Sequence, residues 1–189
     1  MQRITVLILA LLAASGSALA QKYTGEVSPF VGYQSHRTFQ AGANTLEFKD
    51  IHIWGVRAGV VQDGKYAVEG TFAYLPHYEF VGRDPKIRGL LYEGNYLVQL
   101  PTPYKFKPFA TIGLGGISSV NEVAQPPLNT KVLASRLTMN FGGGVKAERL
   151  WGPLGGRFDI RGRTIFNVAD KNPTGLEVSG GLILSWGPR

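Results

Sequence analysis

From Tyr23 onward, apolar residues recur at every second position in one short run after another. No stretch keeps the i, i+3, i+4, i+7 spacing of a helix for long enough to predict one. Eight alternating runs stand out, each bounded by Gly, Pro, Asn or Asp: residues 23–34, 51–61, 66–79, 86–100, 105–118, 135–148, 156–168 and 175–187. Asp63-Gly64, directly after the second run, marks a tight hairpin. In the run 51–61, Trp54, Val56, Ala58 and Val60 oppose Gly55, Arg57 and Gly59; in 175–187, Leu176, Val178, Leu182, Leu184 and Trp186 oppose Glu177, Ser179, Gly181 and Ser185.

The polar faces carry the charge. Taken together they hold Glu26, Glu69, Glu93, Glu148, Asp159 and Glu177 against Arg57, Lys146, Arg157, Arg161 and Arg163. Near-balanced charge of both signs suits an enclosed lumen, where charges must be paired. The continuous apolar faces suit an outer wall in lipid, which admits only helices or closed barrels. The pattern therefore predicts an all-β fold, an eight-stranded antiparallel up-and-down transmembrane β-barrel. Connections alternate in length as such a barrel requires, with 35–50 and 119–134 long, 79–86 and 167–174 moderate, and 62–65, 101–104 and 149–155 short. Aromatics sort to two levels: Tyr66, Tyr104, Phe106, Trp151, Phe158 and Trp186 toward the short-turn end, and Tyr33, Trp54, Tyr74, Tyr78 and Phe166 toward the other.

The N-terminus reads as a processing segment. Arg3, the apolar run Ile4–Ala14 and the small-residue site Ala18-Leu19-Ala20 have the layout of a secretory signal peptide over residues 1–20. Residues 21–189 then form the barrel domain, and loss of Arg3 lowers the formal charge from +7 to +6. The chain has no cysteine, which excludes disulfides and thiolate metal sites, and 25 glycines, which a tightly curved barrel with a narrow lumen explains. Gly113-Leu-Gly-Gly116 and Gly142-Gly-Gly144 lie inside alternating strands and open no helix, so they are not phosphate cradles. No basic run with interleaved aromatics points to nucleic acid.

Glu26-Val-Ser-Pro-Phe-Val-Gly-Tyr33, Val68-Glu-Gly-Thr-Phe-Ala-Tyr74 and the closing strand, with Ser179, Gly181, Leu184 and Trp186 at fixed offsets, resemble the OmpA-like family of small outer-membrane β-barrels. The resemblance implies that those four residues form the signal read by the barrel-assembly machinery, although Gly187, Pro188 and Arg189 follow the aromatic on which family members often end. It also implies outer-membrane lipids and lipopolysaccharide as surroundings, a monomer, and localisation in the outer membrane of a two-membrane envelope. No cell-wall-binding domain is expected after the barrel.

The function expected is non-enzymatic and structural, in envelope integrity, with no cofactor and no metal. Within the lumen, Arg57 is expected to pair with Glu69, and Arg161 or Arg163 with Glu177. The alternatives are an adhesin or ligand-binding barrel acting through loops 35–50 and 119–134, and a narrow gated pore whose ion pairs exchange partners. A lipid A-modifying enzyme ranks lower. Catalysis would need a serine within reach of His36, His52 or His77, and Ser35 beside His36 is the nearest approach to that arrangement.

Overall fold

A computed structural model describes residues 23–35, 39–41, 44–46, 51–80, 83–119, 135–166 and 172–187. Side chains are described outside 36–50, 77–87 and 119. The expected signal peptide lies outside the described residues, as do His36 and nearly all of 119–134. The strands are β1 (Tyr23–Ser35), β2 (Phe39–Ala41), β3 (Asn44–Leu46), β4 (Ile51–Gln62), β5 (Tyr66–Phe80), β6 (Arg83–Gln99), β7 (Phe106–Ser119), β8 (Arg136–Trp151), β9 (Leu154–Ile165) and β10 (Thr174–Trp186).

Eight of these close into a barrel in the order β1-β10-β9-β8-β7-β6-β5-β4, and β4 returns to β1. Every neighbouring pair is antiparallel, so each strand finds its partners in a closed ladder with no free edge. The eight strands are those the alternation predicts. The β2–β3 hairpin, registered Gln40↔Thr45, is an addition inside the connection expected as loop 35–50.

Two connections are shorter than the sequence suggested. β5 and β6 run on to Phe80 and Arg83, which leaves two residues where 79–86 was expected to be a loop. β8 and β9 meet across Gly152-Pro153 instead of 149–155, through a bulge between Ala147 and Trp151 in which Arg149 holds a φ of 51°. The bulge absorbs two extra residues of β8 without breaking the pairing on either side, and so lets both strands reach the turn. At the β4–β5 turn, Asp63 and Gly64 both adopt positive φ (52° and 64°), as a type I′ turn requires, and Lys65 N–H closes it on the Gln62 carbonyl at 3.0 Å.

The alternation separates two surfaces. Outside, Val31, Trp54, Val68, Phe72, Tyr96, Leu114, Phe141 and Leu182 are about half exposed or more, with their neighbours forming a continuous apolar wall. Such a wall far exceeds the patches that soluble monomers leave in water. Inside, the buried residues are charged and polar at mid-height, apolar towards the long-loop end, and mixed towards the short turns, where Val61, Ala67, Leu97 and Phe109 lie with Glu26, Gln99 and Lys146. An eight-stranded barrel has room for just such a filling of side chains.

Candidate functional site: the lumen charge network

The lumen is built in layers by strands far apart in sequence. Nearest the long-loop end, Phe30, Ile51, Ile53, Ala73, Leu75, Leu91, Ile117 and Ile165 form a buried apolar cluster. Nearer the short turns, Val61, Ala67, Leu97 and Phe109 form a second. The arginine layer lies between them. Arg57 of β4 reaches across to Asp159 Oδ2 (3.2 Å) and Glu177 Oε1 (2.8 Å), and donates to Ser179 Oγ (3.0 Å). Its guanidinium also lies 3.7 Å from the Phe30 ring centroid, which joins the charged layer to the apolar cluster above.

Asp159 of β9 is the hub. Besides Arg57 it accepts from Arg157 Nε (2.8 Å) and Nη2 (2.9 Å), and from Arg161 Nε (3.2 Å) and Nη2 (3.0 Å). Glu69 of β5 takes both Arg157 nitrogens and Arg161 Nη2, the last at 3.1 Å. One step toward the long loops, Arg163 forks onto Glu93 at 2.8 and 3.0 Å, donates to Gln34 Oε1 at 3.1 Å and pairs with Glu177 Oε2 at 2.8 Å. Fork-on-carboxylate contacts are the strongest ion-pair geometry available to a side chain. Neutral bonds brace the same level: Asn140 donates to Asn95 (2.8 Å), which donates to Thr71 (3.0 Å).

Below, Lys146 meets Glu26 at 2.5 Å, and Lys107 meets Glu148 at 2.7 Å near the short-turn mouth. Gln99 spans these two pairs, and its amide is assigned by their chemistry, with nitrogen toward the acceptor Glu148 Oε1 (3.3 Å) and oxygen toward the donor Lys146 Nζ (3.2 Å). Phe109 lies under Arg157 at 4.8 Å.

Room for this network comes from glycine. A Cβ at Gly115, Gly142 or Gly144 would overlap the backbone carbonyl of the neighbouring strand, and one at Gly113 would overlap the Asn95 amide. The β7–β8 wall is thus kept bare where the other strands send long charged side chains inward. At the seam, the Trp186 indole packs flat over Gly25 of β1, where any side chain would displace it.

No protein-family model matches the sequence. No curated protein matches it either. Among solved structures the chain is similar to the outer membrane protein OprG from Pseudomonas aeruginosa, with TM-score 0.58, 11% identity, and 89% of this chain and 98% of that one covered. It is also similar to Neisserial surface protein A (TM-score 0.54, 12% identity, 86% and 95% covered). A third likeness is to the outer membrane enzyme PagL (TM-score 0.50, 15% identity, 86% and 99% covered). The fold is that of the small outer-membrane β-barrels. Since one protein of this fold is an enzyme and others are known as surface or outer-membrane proteins, the fold carries no chemistry by itself.

In this outer-membrane-type barrel, Glu26, Arg57, Glu69, Glu93, Lys146, Arg157, Asp159, Arg161, Arg163 and Glu177 all lie buried in the lumen, and Glu148 stands at its mouth. Two details differ from expectation. Arg57 is bridged to Asp159 and Glu177 and not to Glu69, because strand tilt in the closed barrel lets it cross the lumen while Arg157 and Arg161 take Glu69. Lys107 was missed: it shares the lumen face of β7 with Thr111 and Gly113 and supplies a sixth base against the six acids. Parity along the strand would have found it.

Ser179 faces the lumen, whereas Leu184 and Trp186 face outward at 43% and 52% exposure. The Gly187 carbonyl accepts from Arg149 Nη2 at 2.9 Å. His52 packs its ring edge-on against Tyr33 at 5.8 Å, and among the described residues no serine hydroxyl bonds it. The side chain of His77 lies outside the described residues. No group of three potential metal ligands occurs among the described residues.

Proposed function

We propose that the protein is a non-enzymatic, OmpA-like barrel of the outer membrane in a two-membrane envelope, exported by its N-terminal signal peptide, whose work is structural. The observation that carries this reading is the filled lumen. A charge-balanced layer, with Arg57, Arg157, Arg161 and Arg163 each on two acids, is capped by one apolar cluster and floored by another. A conducting path would have to break several buried ion pairs and also wet an apolar layer, at a cost of several kcal/mol for each charge left unpaired. The barrel is therefore a rigid pin through the membrane, holding its loops on one side.

Planar-bilayer recording tests the reading. The refolded barrel is expected to give no conductance steps above the bare membrane, and a strain lacking it should become more sensitive to detergents. Stepwise conductance at moderate voltage would replace the structural reading with the pore.

A further inference from the structure

Among the described residues the six bases of the lumen face six acids, so the bases outside it stand in excess. At the short-turn end the excess follows a pattern. Each of the three turns carries a base not used in the lumen, set beside an exposed aromatic ring. Lys65 adjoins Tyr66 and lies 5.1 Å from its ring centroid. Lys105 sits between Tyr104 and Phe106, which are 74% and 58% exposed. Arg149 precedes by two residues Trp151, itself 74% exposed.

The turns are bonded into one arc. Gln99 N–H donates to the Lys65 carbonyl at 2.7 Å, and Glu148 N–H to the Lys105 carbonyl at 3.1 Å. Of the acids in these turns, Glu148 is held by Lys107, which leaves Asp63 as the other carboxylate of the described arc. The remaining charge is positive and sits at the level of the rings.

Amphipathic rings settle at the headgroup level of a bilayer. Bases fixed at that level face lipid phosphates, and their attraction to an anionic surface persists only within a screening length. We propose that this rim is a collar for anionic phospholipid headgroups of the periplasmic leaflet. Lys65, Lys105 and Arg149 face the headgroup phosphates, while Tyr66, Tyr104 and Trp151 set the depth. The inference goes beyond the structural role and rests on the membrane placement proposed above.

The test uses the full barrel with Trp54→Phe, so that emission comes from Trp151 and Trp186 at this rim. It is refolded into mixed phosphatidylglycerol and phosphatidylcholine vesicles in which one lipid or the other is brominated. At low salt, brominated phosphatidylglycerol should quench severalfold more effectively than brominated phosphatidylcholine at equal mole fraction. The preference should fall by up to roughly fivefold for each base removed. Lys65→Gln with Lys105→Gln should remove most of it, leaving the Arg149 bond to Gly187 intact, and adding Arg149→Gln should remove the rest. Equal quenching by the two lipids in the parent barrel, or a preference unchanged in both variants, overturns the collar. Heat-modifiable gel mobility reports insertion separately: a barrel that inserts but shows no preference sinks the collar alone, whereas one that never inserts sinks the membrane reading and the collar with it.

Discussion

Asp159 offers the sharpest test of a sealed lumen. Its carboxylate is fully buried and accepts from Arg57, Arg157 and Arg161 at 2.8 to 3.2 Å. Asp159→Asn keeps the volume but removes the charge and turns one acceptor into a donor aimed at guanidinium groups. Glu69 still serves Arg157 and Arg161, and Glu177 still serves Arg57, so no arginine is stranded outright. The cost should therefore fall at the lower end of the range for breaking a buried pair, about 3 kcal/mol. If water filled the lumen, the same change would behave like the loss of an exposed pair, at about 1 kcal/mol or less. Urea unfolding of the barrel in lipid vesicles, followed by tryptophan emission, separates the two through the shift in midpoint at constant slope. A loss below about 1 kcal/mol refutes the dry, paired lumen. Adding Arg161→Met to Asp159→Asn restores the balance of charge and should recover part of the loss, which a double-mutant cycle reads directly.

Three further outcomes follow from the same geometry. Lys146→Met leaves Glu26 buried and unpaired and should cost about 3 kcal/mol or more, whereas Lys107→Met, at the part-exposed mouth, should cost about 1 kcal/mol or less in the same unfolding assay. Gly144→Ala, whose methyl would overlap the Phe158 carbonyl, should destabilise the barrel by about 2 kcal/mol or more, while Gly94→Ala, with nothing within 4 Å, should stay within about 0.5 kcal/mol. Leu114→Arg, on the lipid-facing wall with 59% exposure, should cost about 2–4 kcal/mol if it sits near the bilayer midplane, and an effect near zero would place that wall in water.

Much of this fold was legible because a barrel wall obeys a period of two, and a period survives in a single sequence. Strand number, the facing of Arg57 or Val56, and the tight turn at Asp63-Gly64 all follow from it. The apolar end-clusters were not legible. Ile51, Ile53, Leu91 and Ile117 share the lumen face with charged residues, and against the outward Trp54, Tyr92 or Leu114 they read as lapses in the alternation. Only the closed barrel groups them at one end. Pairing partners were equally hidden, because who meets whom across a lumen depends on strand stagger, which no local pattern encodes. So Arg57, which is two strands around the barrel from Glu177 and three from Asp159, could not be matched from spacing.

That stagger also bears on what the charges are for. Buried ion pairs are weak evidence for stability, since well-packed apolar residues of similar volume often do as well. Register is a different matter. A slip of one residue would turn every side chain to the wrong surface, and the apolar wall forbids it. A slip of two keeps both faces intact, so the alternation cannot reject it. The network can, because Glu69 meets Arg157 across 88 residues of sequence, Arg57 meets Asp159 across 102, and Arg163 meets Gln34 across 129. A two-residue slip at one strand pair would leave several of these groups unpaired in the lumen at once. Replacing Glu69 and Asp159 by Leu together with Arg157 and Arg161 by Met should then leave the unfolding midpoint of correctly folded barrel nearly unchanged. The same chain should refold into more than one compact species on an unboiled gel. A single folded band, reached as efficiently as by the parent chain, would show that turns and wall alone set the register.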